Sequence, residues 1–259
     1  MTTAAHVGVL DWGIGGLDTL ARLRRRFPGL AFTYLSDSGA TPYGKLDADA
    51  LAARVRAVVA ALDVTHCVIA CNAASSVLPL RDPPCPIVGV IAPGVAVALR
   101  SGHRRLGVVG GARTIASRAW SAPLEAAGRE VVQSVAQPLS AHIEAGRLGG
   151  PALEADLARI LAPIRAAEVD ALVLACTHYP AIAGAFARHL PGVALIDPVD
   201  ALVDAAAAAF GLDDAGGAEV GALRVLTTGA PAATADAARL AWRLDLDVTR
   251  WDGPPLAPR

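Results

Sequence analysis

Val64-Thr65-His66-Cys67-Val68-Ile69-Ala70-Cys71 and Val169-Asp170-Ala171-Leu172-Val173-Leu174-Ala175-Cys176 are two copies of one pattern. They agree at both valines, at an Ile/Leu position and at the closing Ala-Cys. Each is a short apolar run that stops abruptly at small or polar residues, which is the signature of a buried strand and the loop after it. Upstream of each copy stands a second matching pair, Val7-Gly8-Val9-Leu10 and Leu106-Gly107-Val108-Val109, at nearly the same distance from its cysteine. A duplicated half-molecule accounts for both pairs.

Further apolar runs at Phe32 to Leu35, Ile87 to Ile91 and Val193 to Ile196 alternate with alanine- and leucine-rich stretches of helical period. This alternation predicts an α/β fold, each half a parallel sheet covered by helices. The runs are continuous rather than alternating, as expected where helices bury both sheet faces. Ligand sites in such sheets lie beyond the C-terminal ends of the strands. Two halves facing each other by a pseudo-twofold would then offer Cys71 and Cys176 to one cleft from opposite sides. Pro93, Gly94 and Gly102 place the switch between halves near Ala92 to Arg105.

With 259 residues, 54% of them hydrophobic, the chain can bury a core without staples. A formal net charge of −1 argues against a nucleic-acid partner. The one dense basic run, Arg22, Arg24, Arg25 and Arg26, reads as the solvated face of a helix. No leader pattern opens the sequence and no apolar run approaches the roughly 20 residues of a spanning helix, so a cytoplasmic protein without membrane contact is expected. The four cysteines, at 67, 71, 85 and 176, are too sparse for a disulfide framework and read as reduced thiols.

Inverting a carbon that bears a proton requires a base on one face and an acid on the other. Two thiols suit the task, because a cysteine near its ordinary pKa of about 8.5 can accept or donate according to its neighbours. Asp11 and His178 are the titratable groups nearest in sequence to do that tuning. Cys71 and Cys176 both end strands, and both are followed by polar residues, Asn72 and Thr177-His178. Cys67, inside its strand, reads as core, and Cys85 as incidental. No metal is expected, since Cys71, Cys176 and His178 match no zinc spacing. Gly13-Ile14-Gly15-Gly16 fails as a dinucleotide fingerprint, because its third glycine would fall on Asp18. The turn reads instead as a place where backbone N–H groups approach a small carboxylate.

The motifs together resemble the glutamate racemases of the aspartate/glutamate racemase superfamily, over nearly the whole chain and in the same order. Val7 to Leu17 resembles the opening strand and glycine turn of that family, and Ser36-Asp37-Ser38 through Pro42-Tyr43-Gly44 a substrate loop. Ile69 to Ser75 and Leu174 to Pro180 resemble its two catalytic signatures. Gly89 to Gly94 and Thr114-Ile115-Ala116-Ser117 complete the series.

The resemblance implies two pseudo-symmetric domains, residues 1–95 plus 206–259 and residues 96–205, with the site in the cleft between them. It implies cofactor-independent interconversion of L- and D-glutamate for peptidoglycan by a homodimer. Cys71 with Asp11 would serve the D-enantiomer and Cys176 with His178 the L-enantiomer, Glu144 being an auxiliary carboxylate. Pro42, Tyr43, Gly44, Asn72, Thr114 and Thr177 match substrate-binding positions.

Two positions depart from the pattern, Trp12 standing where the family has serine and Ala73 where it has threonine. Each change deletes a hydroxyl that would hold an anionic substrate, a loss on the order of 1.5–3 kcal/mol. Two alternatives therefore stay open: a sibling racemase with another acid substrate, and a silent binding protein in which Trp12 plugs the site.

Overall fold

The computed structural model describes residues 5–212 and 220–254. One sheet is built from β1 (His6–Asp11), β2 (Ala31–Ser36), β3 (His66–Ile69), β4 (Ile87–Gly89), β9 (Leu223–Thr227) and β10 (Val248–Arg250). The other contains β5 (Arg105–Gly110), β6 (Glu130–Val135), β7 (Ala171–Ala175) and β8 (Ala194–Ile196). The strand orders are β10-β9-β2-β1-β3-β4 and β6-β5-β7-β8, every pairing parallel.

The duplication is visible in this topology. β2-β1-β3-β4 and β6-β5-β7-β8 have one order, and Val9 faces Val68 in the first as Val108 faces Val173 in the second. β9 and β10 extend only the first sheet, beyond β2.

Helices α1 (Leu17–Arg26), α2 (Ala48–Ala61), α3 (Asn72–Ser75) and α4 (Ile91–Arg100) accompany the first four strands. Helices α5 (Ala112–Ala116), α6 (Ser121–Ala126), α7 (Gln137–Glu144), α8 (Pro151–Ala166) and α9 (Ala183–His189) accompany the second sheet. Helices α10 (Val199–Phe210) and α11 (Pro231–Trp242) bring the chain back to β9 and β10. Among the described residues no helix is long and apolar enough to cross a membrane.

The sequence placed a break over Ala92 to Arg105, but α4 runs through most of it. Pro93 lies in the first turn of α4, where its missing N–H is not required. Gly94 is buried in that helix, where a Cβ would overlap the Trp120 ring and approach Pro198 Cβ to 2.9 Å. The chain turns later, at Gly102, with φ of +79°. The expected boundaries at 95/96 and 205/206 therefore fall inside α4 and α10.

The basic run is also more than a solvated face. Arg22 pairs with Asp18 at 2.9 Å, Asp197 at 3.3 Å and Asp200 at 2.8 Å, while Arg26 reaches Asp204 at 2.5 Å. These pairs tie α1 to α10 and its approach, so the returning chain is anchored on the first sheet's helices. Strands β6, β9 and β10 escaped the sequence reading because each is only partly buried and carries polar residues in the run.

Candidate functional site

The thirteen residues singled out from the sequence line one cavity of about 880 Å³. Asp11, Trp12, Pro42, Tyr43, Gly44, Cys71, Asn72 and Ala73 come from the first sheet's loops, and Thr114, Glu144, Cys176, Thr177 and His178 from the second's. The cysteines arrive there for the reason the repeat suggested. Cys71 and Cys176 follow the C-terminal ends of β3 and β7, equivalent central strands of two similar sheets.

Asp11 ends β1 and is almost fully buried, at 1% exposure. Its Oδ1 accepts from Trp12 N at 2.7 Å, and its Oδ2 from Gly16 N at 2.6 Å and Thr177 Oγ1 at 2.7 Å. A buried carboxylate so supplied with donors is satisfied and held in one orientation. Burial and the neighbouring Asp11 carboxylate push the Cys71 thiol well above its ordinary value, the Cys176 sulfur adding in the same direction. Cys71 therefore rests as a protonated thiol beside a fixed anion.

The opposite side is built differently. His178 Nδ1 lies 3.6 Å from Cys176 Sγ, and its Nε2 lies 2.6 Å from Glu144 Oε1. Burial opposes protonation of His178, but the Cys176 sulfur and the Glu144 carboxylate outweigh it and hold the imidazole well above its usual value. Burial likewise opposes ionisation of Glu144, and the His178 bond with the Ile14 N–H reverses that, so its carboxyl sits below the usual range. Glu144 Oε1 accepts from Ile14 N at 3.0 Å. One oxygen thus joins the glycine turn of the first half to the imidazole of the second.

Glycine at 13 is what permits this approach. A Cβ there would overlap Glu144 Oε1 and lie 3.2 Å from His178 Nε2. The sequence expects N–H groups of this turn to meet a small carboxylate, and two of them meet side-chain carboxylates, Ile14 N that of Glu144 and Gly16 N that of Asp11. The carboxylates that the turn binds belong to the chain itself.

Trp12 stands in the wall and does not fill the cavity. Its Nε1 donates to the Ala40 carbonyl at 3.2 Å, which turns the indole toward the loop ahead of Pro42. That loop is held from beneath. Tyr43 donates to Asp37 Oδ2 at 2.7 Å, while Arg54 grips both Asp37 oxygens at 2.8 and 2.7 Å. Thr228 Oγ1, from the segment after β9, donates to Asp37 Oδ1 at 2.9 Å. Asn72 Oδ1 accepts from Trp120 Nε1 at 3.0 Å, a bond that joins α3 to the second half and leaves the amide NH₂ of Asn72 for the cavity.

A family model described as Asp/Glu/hydantoin racemase matches residues 35–206. The chain belongs to that racemase family. A glutamate racemase of Latilactobacillus sakei is 32% identical, covering 96% of this chain and 97% of its own. One of Pseudomonas putida is 34% identical, covering 95% and 97%. The crystal structure of glutamate racemase from Thermus thermophilus, in complex with β-chloro-D-alanine, superposes with a TM-score of 0.82 at 30% identity, covering 95% of this chain and 96% of that one.

For a member of this racemase family, some residues at the site were not named from sequence. Arg54 and Trp120 act beneath the surface, Arg54 on the Asp37 of the loop already quoted and Trp120 on Asn72, and long-range partners of that kind leave no local signal. Lys45, Arg113 and Gln137 line the cavity itself. Arg113 stands immediately before Thr114 and could have been found by asking which side chains a short helix places beside one already chosen.

Proposed function

We propose that this chain is a glutamate racemase that works with two thiols and no cofactor. The observation that carries the reading is the arrival of Cys71 and Cys176 in one cavity from equivalent strands of opposite halves, each with its own tuning group. The similarity to enzymes named glutamate racemase supports the substrate.

The two sides differ in what stands behind each thiol, a carboxylate beside Cys71 and an imidazole backed by Glu144 beside Cys176. Cys176, beside the His178 imidazolium, acts as thiolate and takes the α-proton of L-glutamate. Cys71, held as thiol, donates its proton to the opposite face of the planar carbanion. The product is D-glutamate, with Cys176 now protonated and Cys71 a thiolate beside Asp11. The reverse reaction exchanges these roles, and the Thr177 hydroxyl on Asp11 links the two sides. Neither face can be served by one group alone, because a single base returns the proton to the side it left.

The reading extends, on the resemblance, to a cytoplasmic homodimer that supplies D-glutamate to peptidoglycan. It divides the chain into two domains that carry one thiol each, the first containing the opening and closing segments. The strand orders support that division, with crossings beside α4 and ahead of α10.

Proton NMR in D₂O tests the activity, with L- and D-glutamate presented separately beside a panel of other amino acids. Deuterium should enter the α-position with inversion, and Cys71→Ala or Cys176→Ala should abolish inversion. Exchange of another acid alone would move the substrate, and no exchange with any would defeat the racemase reading.

A further inference from the structure

A tryptophan outside the cavity controls one of the groups inside it. Asn72 follows Cys71 directly and lines the cavity with both thiols. Its backbone belongs to the first half, where α3 is pinned by Ser75. The Ser75 Oγ donates to the Ile69 carbonyl at 3.0 Å and accepts from Val90 N at 3.1 Å. The Asn72 side chain is held instead by the second half, through the 3.0 Å bond that Trp120 Nε1 donates to Asn72 Oδ1.

An indole N–H can only donate, so the end of the amide that faces it must be the oxygen. The NH₂ group then points the other way. Among the described residues it meets no acceptor, and it is not sealed off from the cavity. Without the indole, nothing at Asn72 would choose between the two amide ends, which have one shape and opposite polarity.

Trp120 is itself immobile. It stands at the start of α6, buried at 1% exposure, and its ring lies against Gly94 of α4 so closely that a Cβ there would overlap it. Glycine inside a helix weakens that helix relative to alanine, and here it makes room for the ring. Trp120 does not line the cavity, so its route to a bound molecule runs through Asn72.

We propose that Trp120 is a positioning residue, which fixes the Asn72 amide with its NH₂ toward the cavity, ready to donate to a substrate carboxylate. This rests on the racemase reading and deepens it. An amide turned the other way would set its carbonyl oxygen against the same anion. The indole thus decides whether the wall beside Cys71 attracts the substrate or repels it.

The test is a double-mutant cycle on kcat/KM for L-glutamate, with wild type, Trp120→Phe, Asn72→Ala and the double variant. Each protein is first shown to be folded by its thermal melt. Trp120→Phe removes the donor and keeps an aromatic ring, and should lower kcat/KM roughly 5- to 10-fold, the upper range for losing a neutral hydrogen bond. In the Asn72→Ala background the same substitution should cost less than about threefold, because its target is gone. A loss below about fivefold in the wild-type background overturns the proposal, and so does one of about threefold or more without Asn72, the mark of a merely structural residue.

The indole N–H signal of Trp120 in ¹H–¹⁵N NMR is a second readout that leaves Trp120 in place, and it decides where a variant is unfolded or too slow to assay. In Asn72→Ala the signal should move upfield as the bond is lost. Saturating L-glutamate should shift it in wild type and leave it unmoved in Asn72→Ala. A signal that ignores the Asn72 substitution, no response to L-glutamate in wild type, or a response that persists in Asn72→Ala overturns the proposal. If no protein exchanges an α-proton, the racemase reading fails, and this signal decides Trp120 separately by the same outcomes.

Discussion

Replacing Glu144 by glutamine tests whether the carboxylate behind His178 has an electrostatic role or only fills space. The two side chains have one shape, and the glutamine carbonyl can still accept from Ile14 N, which lies 3.0 Å from Glu144 Oε1. What disappears is the charge 2.6 Å from His178 Nε2. Loss of a hydrogen bond between charged partners is worth about 1.5–3 kcal/mol, which as a barrier is roughly 10- to 100-fold in rate. With the anion gone, burial regains influence over His178 and its pKa falls. Less imidazolium then stands beside the Cys176 thiolate near neutral pH.

The assay is steady-state racemisation from both enantiomers across pH. Enantiomers have equal free energy in water, so kcat/KM must fall by one factor in both directions. That factor should be roughly 10- to 100-fold, and the limb of the pH profile belonging to His178 should move to lower pH. Equal activity within about twofold, with an unshifted profile, would refute the argument that Glu144 sustains the imidazolium.

The same pair sets a pH dependence of stability. The raised His178 value contributes stability that is fully present below the unfolded value near 6.5 and is lost as pH rises through the folded one. The lowered Glu144 value contributes stability present above about 4.5 and lost as pH falls through the folded one. The advantage of wild type over Glu144→Gln in urea unfolding should therefore peak between roughly pH 4.5 and 6.5 and shrink on either side. Gly13→Ala should push Glu144 away from the turn and lower kcat/KM by at least about 100-fold, in line with displaced catalytic groups; unchanged kinetics would deny the close approach of the halves. Asp37→Ala leaves Arg54 buried without its partner, a loss of about 3–5 kcal/mol that should lower Tm by roughly 10 °C in a differential scan. Asp11→Asn removes the anion that holds up the Cys71 thiol, so alkylation of Cys71 by iodoacetamide at pH 7.5, followed by peptide mass spectrometry, should become faster.

The repeat around Cys71 and Cys176 was legible because the same interior demands one residue pattern twice. A strand buried on both faces must be apolar throughout, and it must stop where the chain meets the cleft. The α/β class, the pairing of halves and the convergence of the two thiols all follow from that constraint. Trp12 and Ala73 were legible as departures only against the family pattern that the motifs around them resemble.

Elements that face solvent or a distant partner were not legible. The polar, partly exposed β6, β9 and β10 satisfy no strict pattern, and α4 continued through Pro93 because a proline in the first turn gives up nothing. The direction of the Trp12 indole depended on a carbonyl 28 residues away. The use of the glycine turn depended on Glu144, 130 residues from Ile14. Arg113 lay in plain view beside Thr114, but its buried, unmatched Nε exists only once two halves close around it. Sequence by itself determined that the two thiols and the motifs around them reach one cavity, because burial and strand ends impose local patterns. Tertiary structure alone decided which charges there are already satisfied, because hydrogen-bond partners are chosen by position in space and not by distance along the chain.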